Sequence, residues 1–189
     1  MLEKVGVKAK ISNIPSDIYK ADKLILPGIG SFDYGVNQLK GLDIWEILQY
    51  KVEEKKSCIL GICLGAQLMT LESGEGKEFG FGWINAKTKV FKHAERQDSL
   101  HYKVPHMGWT EIEITQQNQL LKNFQEVPRF YFAHSYHFTC IDKKNVIANA
   151  NYGYVFPASF QKENIWGVQF HPEKSHVFGM KLMENFVNL

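Results

Sequence analysis

Cys58-Ile-Leu-Gly61-Ile-Cys63-Leu-Gly65-Ala-Gln67 is the stretch whose reading decides the fold. It opens as a short apolar run, too brief for a helix and suited to a buried strand. It then passes directly into helix-forming residues that extend to about Leu71. A strand that turns sharply into a helix, with a small residue two before and two after the turning residue, is the nucleophile-elbow pattern, here with cysteine in place of serine. The glycines let the turn be tight and let helix and strand lie close together. Cys63 is thereby pushed into the open at the carboxyl edge of a sheet, where ligands bind in open α/β folds.

Upstream, Lys23-Leu-Ile-Leu-Pro27 is a second compact apolar run closed by Pro-Gly, which predicts a buried strand ending in a turn. Between the two runs, Ile44, Ile47, Leu48 and Val52 recur at helical spacing, so a helix is expected from Ile44 to about Lys56 with Asp43 as its cap. Strand, helix, strand, helix predicts a doubly wound, mostly parallel α/β sheet with helices on both faces. Downstream the pattern changes. Thr110–Thr115 alternates, and Arg129–Cys140, Asn145–Ala150 and Ala158–Phe170 are β-rich between Asn/Gly/Pro turns, which predicts added antiparallel strands. A closing helix is expected over His176–Leu189, and Val7–Ile11 alternates weakly enough to suggest a short strand. With 189 residues and no linker composition, residues 1–189 read as one domain. Such a fold normally opens with a buried strand. Here Leu2–Gly6 reads instead as the last turn of a helix with its glycine cap, and the first strand is missing.

Several function classes are excluded by arithmetic. Lys+Arg 22 against Asp+Glu 20 leaves a formal charge of +2, which gives no electrostatic case for nucleic acid or an anionic membrane. No apolar stretch approaches the ~18 residues of a membrane span. The start Met-Leu-Glu-Lys lacks the apolar core of a signal peptide, so the expectation is a cytoplasmic protein. Cys58, Cys63 and Cys140 form neither a disulfide framework nor a zinc spacing. No metal or cofactor is indicated.

Cys63 is the nucleophile candidate, because a helix N-terminus favours a thiolate and offers N–H groups to a developing oxyanion. Cys58 and Cys140 lie in apolar runs and read as structural. Among seven histidines, His171 is the favoured base. It follows Ile165–Phe170, and Glu173 lies two positions on, where an extended backbone puts both side chains on one side. Glu173 can then fix the tautomer of His171, which completes a Cys-His-acid triad. His134 is the second candidate base, with no acid within two residues. The turn Pro27-Gly28-Ile29-Gly30-Ser31 can present a peptide N–H to a ligand.

Together these segments resemble the class I glutamine amidotransferases, which use a Cys-His-Glu triad. The resemblance is carried by Leu26–Phe32, Gly61–Gln67, Val104–Trp109, Phe132–Tyr136 and Gln169–Ser175 in the family's order across nearly the whole chain. It implies that Cys63 attacks the side-chain amide of L-glutamine, that His171 shuttles protons, and that Glu173 orients His171. It further implies oxyanion donors at Leu64 and at the Ile29-Gly30 turn. The glutamine pocket would comprise Gly28, Gln67, Glu75 and the segment His134-Ser135-Tyr136. Met107, Trp109, Tyr131 and Lys174 match positions that meet a partner, a TIM-barrel cyclase that uses the ammonia to make imidazole glycerol phosphate for histidine synthesis.

The sequence departs from that pattern in two ways. The family's opening strand, its glycine-rich turn and most of its first helix are missing, roughly 20–25 residues. A start placed too far downstream or a shortened chain is expected to account for this. Ala66 and Thr110 stand where Met and Asn are usual, as in paralogues that supply ammonia to a sugar amidotransferase in surface-polysaccharide synthesis. A cysteine peptidase or hydrolase on the same fold, and a catalytically dead binding subunit produced by the N-terminal loss, are the further alternatives.

Overall fold

The computed structural model describes residues 1–92 and 102–189. Three strands form its parallel centre. β1 (Lys23–Gly28) runs parallel to β2 (Cys58–Cys63) in the register Leu24↔Ile59 through Gly28↔Cys63. On its other side β2 pairs in parallel with β10 (Ile165–Val168). Antiparallel strands then extend the sheet: β9 (Val155–Lys162), β8 (Val146–Asn151), β5 (His106–Ile114) and β6 (Arg129–His134), in the order β1-β2-β10-β9-β8-β5-β6. The sheet is therefore mixed, its parallel part confined to the segment that carries Cys63.

Side-chain alternation along β2 divides the core. Leu60 and Ile62 join Trp166 and Val168 on one face, covered by α5 (His176–Val187) through Phe178, Leu182, Met183 and Phe186. Ile59 joins Ile165 and Phe160 on the other, covered by α2 (Phe32–Gly41), α3 (Trp45–Gln49) and α4 (Leu64–Leu68). A second sheet of β3 (Glu72–Ser73), β4 (Ala86–Val90) and β7 (Tyr136–Cys140) packs on this same face through Ala86, Phe138 and Cys140. The chain crosses from the large sheet to the small one at Ser135, between β6 and β7.

The structure corrects several sequence expectations. Val7–Ile11 forms no strand; Ile11 is fully exposed, and a period-2 segment holds its shape only against a neighbouring edge. Leu2–Val5 is a single 3-10 turn closed by Gly6 at φ 82°, in keeping with the glycine cap. Asp43 does not cap its helix. It sits in the left-handed region at φ 56° with its N–H on Lys40, and the helix begins at Trp45 and widens to a π turn over Tyr50–Glu54. α4 stops at Leu68 rather than Leu71, because the Leu71 N–H donates to Ala86 of the small sheet. Short α1 (Pro15–Lys20) and α2 were not anticipated. Phe32, Val36 and Leu39 had the spacing that marks α2, and Gly35 and Asn37 obscured it. A Cβ on Gly35 would lie 3.1 Å from a Leu68 side-chain carbon, a tight fit.

Candidate active site

Cys63 stands at the junction of β2 and α4 with φ 52° and ψ −111°, a strained backbone for a non-glycine residue. Two glycines make that junction possible. A Cβ on Gly61 would come within 2.7 Å of Ala66 backbone atoms, and one on Gly65 would overlap the Leu26 carbonyl. The elbow is therefore a consequence of helix α4 lying directly on β1 and β2.

His171 arrives from across the sheet. After β10 the chain bends so that the His171 N–H donates to the Tyr131 carbonyl of β6 at 2.8 Å. Ser175, fully buried, fixes the loop by donating to the His171 carbonyl at 2.6 Å and accepting from the Tyr131 N–H at 3.0 Å. The His171 Nδ1 donates to Glu173 Oε1 at 2.7 Å. Glu173 lies in a 3-10 turn, Pro172–Lys174, so the reach is made across that turn rather than along an extended strand. With Nδ1 committed, the other ring nitrogen is the one left to act on Cys63, which lines the same cavity. The neighbouring Cys63 thiol, then the bond to Glu173, raise the His171 pKa to about 9 against the opposing effect of burial. Burial works to raise the Glu173 carboxyl, but the His171 bond and charge outweigh it and leave it below the usual value.

A cavity of about 290 Å³ opens at the thiol, near the lower end of small-ligand pockets and suited to one amino acid. Ile29, Gly30 and Leu64 line it, as do Gln67, Glu75, His134, Ser135, Tyr136, Met107, Lys174, Cys63 and His171. Gly28 does not. It pairs with Cys63 in register and leaves room for Leu64, whose Cβ would be 3.0 Å from a Cβ on Gly28. Glu75 shares its carboxylate with the protein, since Oε2 accepts from the Phe32 N–H at the start of α2 at 2.8 Å.

His134 is not a base. Its Nδ1 donates to the Tyr136 carbonyl at 2.8 Å and its Nε2 faces His106 Nδ1 at 3.2 Å. Burial lowers its pKa to about 3 and that of His106 to about 4, so both rings are neutral. Cys140 is inert, its thiol pushed up to about 12 by burial, and Cys58 is half-buried and unpaired. His93 and His101 lie outside the described residues.

Met107, which lines the cavity, is exposed, and so is Trp109 two residues along the same strand. Trp109 meets Tyr131 edge-on, and Lys174 Nζ lies over the Tyr131 ring at 5.6 Å. His176 completes this group by stacking on Trp109 at 5.5 Å. The sequence reading missed His176, and also Gln169, which is fully buried beside the thiol. Their signal is weak: His176 follows the recognisable His-Pro-Glu run closely, and Gln169 precedes it by two.

A thiol on an elbow, an imidazole held by a carboxylate, and a pocket for one amino acid on a mixed α/β sheet define a triad amidotransferase. The comparisons agree. The family model for glutamine amidotransferase class-I matches residues 1–189, and the chain belongs to that family. It is 51% identical over 187 residues to the imidazole glycerol phosphate synthase subunit HisH 2 of Methanococcus maripaludis, covering 99% of this chain and 90% of that one. It is 44% identical to the protein of the same name from Pseudomonas aeruginosa, covering 100% and 91%. A crystal structure of a glutamine amidotransferase shares the fold with TM-score 0.74 at 17% identity, covering 100% of this chain and 90% of that chain. Among the described residues no helix is long and apolar enough to cross a membrane.

Proposed function

We propose that this chain is the glutaminase subunit of a two-protein synthase. It hydrolyses L-glutamine to glutamate and ammonia and passes the ammonia to a TIM-barrel cyclase that makes imidazole glycerol phosphate, in the cytoplasm. The observation that carries the reading is Cys63 and His171 on the wall of one amino-acid-sized cavity, with the His171 ring held by Glu173. The likeness to the two HisH subunits supports the choice of partner.

In this reading the Cys63 thiolate attacks the carboxamide carbon. The oxyanion is held by the Leu64 N–H and the Ile29-Gly30 turn, both at the cavity. His171, protonated at neutral pH, gives its proton to the departing nitrogen as the C–N bond breaks, which releases ammonia and leaves a thioester. The now neutral ring takes a proton from water, whose oxygen attacks the thioester carbon. The S–C bond breaks, and glutamate and the thiolate–imidazolium pair are regenerated. Glu173 holds the ring through both transfers. Gln67 and Glu75 grip the amino-acid end. Met107, Trp109, Tyr131 and Lys174 form the partner-facing rim, where exposed Trp suits an interface.

Ala66 and Thr110 favour a second acceptor, a sugar amidotransferase, with the chemistry at Cys63 unchanged. One experiment separates the readings. Glutamine hydrolysis is measured for the chain alone, with a TIM-barrel cyclase and its ribotide acceptor, and with a sugar amidotransferase. The expected result is weak hydrolysis alone, a strong rise with the cyclase, and stoichiometric labelling of Cys63 by a thiol-directed glutamine analogue. Absence of labelling, or labelling with activity retained, sinks the proposal. A rise only with the sugar enzyme reassigns the partner.

A further inference from the structure

Two glutamine side chains lie between the pocket wall and the reactive sulfur, and one fixed acceptor determines how both are oriented. The Tyr136 carbonyl can only accept, so the Gln67 atom 2.9 Å from it is its amide nitrogen. That nitrogen also donates to Gln169 Oε1 at 3.1 Å. Both of its hydrogens are then spent within the protein. Gln169 Oε1 is fixed as the acceptor, which leaves Gln169 Nε2 to face Cys63 Sγ at 3.7 Å, a normal length for an N–H···S contact. Gln169 is fully buried and Gln67 nearly so, so neither amide turns over without leaving polar atoms unpaired.

We infer that Gln169 is a positioning residue with two outputs: its N–H steadies the Cys63 sulfur, and its oxygen locks Gln67 so that only a carbonyl is presented to the cavity. The second output is a specificity device. Gln67 lines the cavity, and its Oε1 has no partner among the described residues. A ligand atom meeting it must donate, as the α-ammonium of an amino acid does. A carboxylate in that place would meet a lone pair. The inference deepens the glutaminase reading and rests on it for the identity of the ligand. The contact with sulfur is independent of the ligand.

Two substitutions separate the outputs. Gln169→Glu keeps an oxygen to accept from Gln67 and removes the donor to sulfur. It is expected to leave KM for glutamine within about threefold while kcat falls about a hundredfold. Gln169→Leu removes both contacts and is expected to raise KM about tenfold as well, with both changes beyond threefold. Alkylation of Cys63 by iodoacetamide at pH 7, which needs no glutamine, should slow about tenfold in both variants. In the unsubstituted protein, alkylating Cys63 should shift the side-chain amide resonance of Gln169, a readout that survives any variant that fails to fold. An unmoved resonance overturns the proposal, as do variants with wild-type alkylation rates and an unchanged KM-against-kcat split. Absence of glutamine hydrolysis in the wild type, even with partner, removes the glutaminase reading. The alkylation and resonance arms still decide the role of Gln169.

Discussion

His171 and His134 line the same cavity, yet the protein drives their protonation in opposite directions. His171 sits between a thiol and a carboxylate and is held charged near neutrality, its pKa raised to about 9. His134 sits between a carbonyl and a second imidazole and is held neutral, its pKa lowered to about 3. Burial acts downward on both rings: at His134 it is the largest effect, and at His171 the thiol and the carboxylate outweigh it. A ring facing groups that can carry negative charge gains a proton; a ring facing only neutral dipoles cannot meet the cost of desolvating one. The proposed reaction therefore gives the proton transfers to His171 and leaves His134 as part of the wall of the same cavity.

Removing each ring in turn breaks the comparison most sharply. In the proposed reaction His171→Asn takes away the proton carrier of both half-reactions, so kcat should fall by about 10²–10⁴-fold, with KM little changed. His134→Leu removes a wall bond and strands the His106 N–H, a loss of roughly 1–3 kcal/mol. It should act mainly on KM and leave the pH profile in place. Steady-state kinetics on the partner-bound enzyme decides the matter. A comparable collapse of kcat in the His134 variant would assign proton transfer to the wrong ring here.

Glu173→Gln sharpens the comparison by making the surroundings of His171 more like those of His134. The bond to a charged acceptor is worth about 1.5–3 kcal/mol, so activity at neutral pH should fall roughly tenfold to a hundredfold. The sign follows from the raised pKa. The imidazolium is present below its folded value and lost as pH rises through it. Wild-type activity should therefore decline through about pH 9. Without the carboxylate that alkaline limb should move down toward the ordinary histidine value near 6.5. A limb that stays in place would show that Glu173 supplies geometry and no charge.

How much of this was legible in the sequence follows the range of the forces involved. Cys63 is positioned by residues within two or three of itself, so Gly61 and Gly65 announced the elbow directly. Glu173 reaches His171 across one intervening residue, and that pairing was legible even though the backbone between them is a turn rather than a strand. The neutral pair was not legible. His106 and His134 meet because β5 and β6 pair antiparallel with these two residues directly opposite, and no local spacing encodes that register. Gln169 was hidden for the same reason: its partners Gln67 and Cys63 are 102 and 106 positions away. The alternating segment Val7–Ile11 was over-read, because period-2 patterning states which face is apolar and says nothing about whether an edge is there to pair with.

The smallest expected effect tests the neutral side of the comparison alone. The Tyr136 carbonyl forces His134 to carry its proton on Nδ1, so His134 Nε2 must accept from His106 Nδ1. His106 Nε2 is then an acceptor, and the Thr110 hydroxyl 2.9 Å from it must donate. The proton order runs one way from Thr110 to the pocket wall, and flipping either ring would set two lone pairs against each other. Thr110→Val keeps the shape and deletes the first donor. A net bond of this kind is worth about 0.5–1.5 kcal/mol, so KM for glutamine should rise roughly twofold to tenfold, with kcat and the alkaline limb unchanged. Long-range proton–nitrogen correlation spectra of the wild type should show both rings as Nδ1–H tautomers. An Nε2–H tautomer at either ring would break the chain of donors that runs from Thr110 to the Tyr136 carbonyl.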